Sequence, residues 1–142
     1  MASYAYIIKG ETLGIVNDQF CFIQTLKTVE EPDRVVQLIN TYCTDVEAIL
    51  LELTRYMELP EVNFLNLEAL AHQIEEKSLS IGAEHMRLAC AGLIQACHDM
   101  QKRNTFRELS WMKSEFSRTR SKLHVFVQTE RKVLRLEKKQ QK

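Results

Sequence analysis

From Val35 onward the apolar residues Val35, Ile39, Tyr42, Val46, Ile49, Leu53 and Met57 recur at intervals of four, three, four, three, four and four. That spacing holds one side chain per turn on a single line of an α-helix for about seven turns. A strand cannot reproduce it, because its successive side chains point to opposite sides. A helix this long with one apolar seam needs partner helices to cover the seam, so the spacing predicts a helical bundle. Leu59-Pro60-Glu61 ends the seam.

The rest of the chain supplies the partners. Asn63 is a credible N-cap for a helix from Phe64 to about Leu79, with Leu67, Leu70, Ala71, Ile74 and Ser78 on one stripe. Gly82 marks the turn out of that helix or the first turn of the next. Ala83, Met86, Cys90, Leu93 or Ile94, Cys97 and Met100 or Gln101 form a further stripe. Asn104 can cap a last helix whose seam runs through Leu109, Met112, Phe116, Leu123 and Phe126 and fades near Leu136. Upstream, Tyr4 to Lys9 reads as a short helix ended by Gly10, Asn17 or Asp18 caps a helix reaching about Val29, and Pro32 suits a first helical turn. With only four Gly and two Pro, the chain lacks the turn residues of an all-β fold. The expectation is all-α: an up-down-up-down four-helix bundle with one or two short N-terminal helices packed across it. Residues 1–142 form one domain in this reading, with a core over about 14–136 and a basic tail over about 131–142.

Net charge is zero but unevenly spread. Residues 1–83 hold five Lys/Arg against thirteen Asp/Glu, and residues 84–142 hold fourteen against six. The tail, with Lys132, Arg135, Lys138 and Lys139, is basic enough to touch an acidic partner, but no aromatic residues interleave with its charges, which disfavours nucleic acid. No apolar run approaches the ~20 residues that span a bilayer, and the N-terminus lacks the pattern of a signal peptide, so a soluble intracellular protein is expected. Cys21, Cys43, Cys90 and Cys97 lie inside apolar helical patterns without a C-x-x-C pair, as small buried hydrophobes do in a reducing compartment. No disulfide or zinc site is expected.

His72 is the one histidine with an interpretable setting. On the Phe64 helix it lies roughly 150° from the middle of the apolar stripe and faces water. Residues one turn away are Glu68, Ala69, Glu75 and Glu76, with Leu79 two turns on, so the ring is surrounded by carboxylates. Taken alone, that pattern describes a solvated, idle histidine. A metal site built on Glu68, His72 and Glu75 is the weaker chemical reading, because these groups point outward from a single helix, whereas bundle metal sites draw ligands inward from several. His85, His98 and His124 are scattered and read as solvated or capping groups. No nucleophile–base triad or phosphate-cradling glycine loop is present.

His72-Gln73-Ile74, followed after three residues by Ser78-Leu79-Ser80-Ile81-Gly82-Ala83, resembles the signature of plant histidine-containing phosphotransfer (HPt) proteins, His-Gln-Leu-Lys-Gly-Ser-Ser-Ser-Ser-Ile-Gly-Ala. Gly14-Ile15-Val16-Asn17-Asp18-Gln19-Phe20 resembles the family's Gly-hydrophobic-Leu-Asp-Asp/Glu-Gln-Phe, and Lys113-Ser114-Glu115-Phe116 resembles its Lys-x-Glu-Tyr. The likeness runs from about Gly14 to about Arg135. Two positions depart from it: the lysine three residues after the histidine is Glu75 here, and the glycine four residues after is Glu76. In the family that lysine is placed to neutralise the phosphoryl group, and the glycine leaves room for a partner's active site.

The resemblance implies a phosphorelay mediator of the cytokinin-signalling type, shuttling a phosphoryl group on His72 between receiver domains of hybrid sensor kinases and response regulators. Glu75 and Glu76 predict reduced efficiency. The docking face implied comprises Ala69, Gln73, Glu75, Glu76, Leu79 and Ser80, with Phe22 from the preceding short helix. No cofactor or metal of its own is expected, the magnesium ion belonging to the partner receiver domain, and such a carrier is not a self-sufficient enzyme. A monomer in cytoplasm and nucleus, without nucleic acid or membrane partners, completes the expectation. Two alternatives stay open: a pseudo-HPt that binds the same partners and inhibits the relay without transfer, and a helical adaptor outside the relay.

Overall fold

The computed structural model describes residues 34–140. They form four helices, α1 Arg34–Met57, α2 Phe64–Ile81, α3 Glu84–His98 and α4 Lys102–Gln140, and no strand occurs among the described residues. Connections of two to six residues can only reverse the chain, so consecutive helices run antiparallel. Packing of α1 on α2, α2 on α3, α3 on α4 and α4 back on α1 closes an up-down-up-down bundle. Only the adjacent pairs make extensive contact, which sets α2 and α4 on opposite diagonals. The expected Tyr4–Lys9 and Asn17 helices, Pro32 and Phe22 lie outside the described residues.

All seven members of the α1 seam are buried, as are Leu67, Leu70, Ala71, Ile74, Ser78 and Ile81 of α2. On α4 the buried line is Thr105, Leu109, Met112, Phe116, Thr119, Leu123, Phe126 and Glu130, alternating steps of four and three without a gap. An apolar pattern alone skips Thr105, Thr119 and Glu130. Thr105 is tolerated because its hydroxyl donates to the carbonyl of Gln101 at 2.8 Å, which satisfies the buried group locally.

Helix ends follow local chemistry, with two corrections. The Asn63 side chain accepts from the backbone N–H groups of Leu65 and Asn66 at 3.1 and 3.2 Å, as an N-cap should. Gly82 closes α2 with φ 80°. Its N–H and that of Ala83 both donate to the carbonyl of Ser78, and an L side chain at Gly82 would be strained in this left-handed conformation. Asn104, by contrast, is not the cap of α4: the helix starts at Lys102, and the Asn104 amide donates to the Gln101 side chain from inside the first turn. Nor does the α3 seam extend to Met100 or Gln101. The helix ends at His98, and Met100 takes φ 55° with its side chain exposed, turning the chain into α4.

Candidate functional site: the outward face of α2

Burying Leu67, Leu70, Ala71, Ile74 and Ser78 against the bundle leaves the opposite side of α2 no choice but to face solvent. Leu65, Ala69, His72, Glu76 and Leu79 are exposed at steps of four, three, four and three, with Gln73 and Ser80 beside them. The His72 side chain is 53 % exposed. Leu65 and Leu79 are 77 % and 51 % exposed and stand seven residues before and after it, so two large apolar groups bracket the ring on one line. Leu65 was not among the expected face residues. Its seven-residue spacing from His72 was the signal that marks it.

The ring is held by its own helix. Nδ1 of His72 lies 3.2 Å from Oε1 of Glu75, and Nε2 lies 3.9 Å from Oε1 of Glu68. An ionised carboxylate can only accept, so Nδ1 carries the proton in the Glu75 hydrogen bond and Nε2 of the neutral ring keeps its lone pair. The Glu68 distance is too long for a hydrogen bond, and that carboxylate flanks the free nitrogen as a charge. The result is an oriented nucleophile on a convex surface with one carboxylate beneath Nδ1 and another beside Nε2. Glu75 and Glu68 are themselves half-buried toward α3, whereas Glu76 is exposed in the approach path.

Among the described residues, the cations of the neighbouring turns are each paired first with another carboxylate. Lys77 donates to Asp45 of α1 at 3.3 Å, which ties it to the side of α2 away from the ring. Arg87 of α3 forks onto Glu84 of its own first turn and also feels Glu75, both of which push its guanidinium further toward the charged form.

The second half of the signature builds architecture rather than chemistry. Ser78 is buried and hydrogen-bonds the Tyr42 hydroxyl of α1 at 2.8 Å, and burial pushes the Tyr42 phenol well above its ordinary range. Ile81 and Ala83 are buried on either side of the Gly82 turn. Glu115, of the Lys113-Ser114-Glu115-Phe116 stretch, is buried too, with His85 Nδ1 at 3.5 Å and Arg118 at 3.6 Å, while Phe116 enters the core. His85 is therefore not a merely solvated histidine: the α3–α4 packing gives it a carboxylate that no reading of a single helix could supply. His98 and His124 are exposed.

Among the described residues, no group of three His, Cys, Asp or Glu side chains is arranged to hold a metal ion. No described helix is long and apolar enough to cross a membrane. Cys43, Cys90 and Cys97 are free thiols, and burial pushes Cys90 up to about 12 and Cys97 up to about 11. Both are accordingly inert packing groups at neutral pH. Cys21 lies outside the described residues.

Comparison with known proteins places this geometry. No protein-family model matches the chain. Histidine-containing phosphotransfer protein 1 of rice (Oryza sativa subsp. japonica) is 29 % identical over 121 residues, which is 85 % of this chain and 82 % of that protein. A crystal structure of a rice histidine-containing phosphotransfer protein superposes with a TM-score of 0.86 at 26 % identity, covering 92 % of this chain and 93 % of that one. The corresponding maize protein gives a TM-score of 0.85 at 26 % identity, with 92 % and 96 % covered. The fold and the exposed histidine together define a phosphotransfer-type helical bundle. By sequence and by structure, the chain is similar to plant histidine-containing phosphotransfer proteins, which are its homologues.

Proposed function

We propose that the protein is a phosphorelay mediator that carries a phosphoryl group on His72 between receiver domains of hybrid sensor kinases and response regulators, in signalling of the cytokinin type. The observation that carries this reading is the exposed, oriented imidazole: its Nδ1 is engaged by Glu75, and the half-exposed ring stands between exposed Leu65 and Leu79. In the transfer step the Nε2 lone pair attacks the partner's aspartyl phosphate in line. The partner's own carboxylates and Mg²⁺ supply the electrostatic stabilisation. This chain contributes a nucleophile and a docking face, and the reaction asks for no cofactor bound to it. Ala69, Gln73, Glu76, Leu79 and Ser80 form the surface around the ring, to which Leu65 is added.

A second reading is favoured by the two carboxylates that replace the family's lysine and glycine. Phosphohistidine carries nearly two negative charges, and unit charges ~5 Å apart in a water-like dielectric interact by roughly 0.8 kcal/mol. Replacing Lys by Glu changes the local charge by two units, so the phosphoryl group's interaction with that position worsens by roughly 3 kcal/mol before salt screening and any positive charge on the ring reduce it. With Lys77 occupied by Asp45, nothing on α2 offsets this. Transfer through His72 is then roughly tenfold to a hundredfold weaker than with the family pattern, and at the limit the protein binds receivers without transferring.

The test incubates the natural chain, a Glu75→Lys/Glu76→Gly double variant and a His72→Gln control with one phosphorylated receiver domain. A mediator labels the natural chain slowly and the double variant faster and more fully, with no label on the control. Binding without label on the natural chain selects the pseudo-HPt reading. Neither binding nor transfer selects an adaptor outside the relay.

A further inference from the structure

We propose that Glu75 shortens the life of the phosphoryl group on His72, so that the chain loses to water part of what it would otherwise pass to the next carrier. The phosphorelay reading supplies the source of the phosphoryl group; the fate argued here rests on the geometry of the ring.

In the uptake step the Nε2 lone pair forms the P–N bond while the acyl phosphate's P–O bond breaks and its electron pair leaves with the donor carboxylate. The ring, neutral beforehand with its proton on Nδ1, thereby becomes a cation. A lysine at the third position beyond the histidine could not accept that proton in a hydrogen bond. Glu75 Oε1, 3.2 Å from Nδ1, both accepts it and stabilises the cation. The phosphorylated ring therefore keeps its proton.

That proton decides the leaving group. When water attacks phosphorus, the P–Nε2 bond breaks, its electron pair returns to Nε2, and a protonated ring departs as neutral imidazole. Dihydrogen phosphate forms with both protons of the water. A deprotonated ring would have to depart as an anion, which raises the barrier. Charge acts in the same direction: the phosphoryl group on Nε2 stands beside Glu68, whose Oε1 is 3.9 Å from that nitrogen, and above Glu75. The repulsion is relieved as the phosphoryl group leaves through a loose transition state. Among the described residues, Lys77 is held by Asp45 of α1, and Arg87 of α3 lies first on Glu84 and offsets Glu75 only in part, while Glu76 adds a third carboxylate on the exposed side.

The experiment loads the full chain directly with phosphoramidate, which needs no partner, and follows phosphohistidine decay by ³¹P NMR across a pH series. His72→Gln identifies signals arising from His85, His98 and His124. The expected result is a His72-dependent signal whose half-life lengthens by roughly tenfold or more in Glu75→Lys and by a smaller factor in Glu75→Gln. Equal half-lives in the three chains, or no His72-dependent signal at all, overturns the proposal. If the half-lives differ as expected but a phosphorylated receiver never labels the chain, the discharge step is supported and the phosphorelay reading is the one that fails.

Discussion

The two sides of α2 are made by the same eighteen residues and obey opposite constraints. The inner side, Leu67, Leu70, Ala71, Ile74, Ser78 and Ile81, is packed against two other helices, and each position is determined by what surrounds it. The outer side, from Leu65 through His72 to Leu79, is exposed among the described residues, so helix geometry rather than packing by the other three helices sets it. Exposed Glu76 can therefore replace a glycine with little demand on the packing, while half-buried Glu75, in place of a lysine, alters the charge beside His72. Stability resides on one side of this helix and the proposed phosphoryl chemistry on the other.

That division can be broken from the inside first. Ile74→Asp places an unpaired carboxylate at a position with no exposure, across the helix from His72, and should cost more than about 4 kcal/mol, or abolish folding. Far-UV circular dichroism and thermal melting measure the loss, and a native-like melt would show that the inner side is not sealed. Ser78→Ala is the intermediate case. It leaves the Tyr42 hydroxyl buried without its partner and should lower stability by about 1–3 kcal/mol, read from the urea midpoint. A change near zero would mean that the hydroxyl finds another acceptor. His72→Gln is the smallest: an exposed substitution at a helix position, within about 0.5 kcal/mol of the natural chain in the same unfolding experiment, although it removes the nucleophile. A large loss there would show that the Glu75 and Glu68 contacts are structural, and the separation of the two sides would fail.

How far each part was legible follows from the distance over which its cause acts. The seams from Val35 to Met57 and from Leu67 to Ser78 were legible because helix periodicity is a local property of the chain. The Asn63 cap and the Gly82 turn were legible because each is settled by residues within one turn of itself. The exposure of His72 followed from the same periodicity, as a consequence of where the apolar stripe lies. Contacts between helices were not legible in this way. Tyr42 with Ser78, Lys77 with Asp45 and His85 with Glu115 join residues thirty or more positions apart, and each depends on the rotation and offset of one helix against another. The early start of α4 at Lys102 was missed because the exposed Asn104 is a strong cap type on paper, while the turn through Met100 leaves Gln101 as the acceptor for Thr105. Local residue chemistry thus determined which segments are helical and which side of each faces in. Helix geometry also turned Lys77 away from His72, but only the packing of the four helices decided which polar groups meet between them and that Lys77 pairs with Asp45.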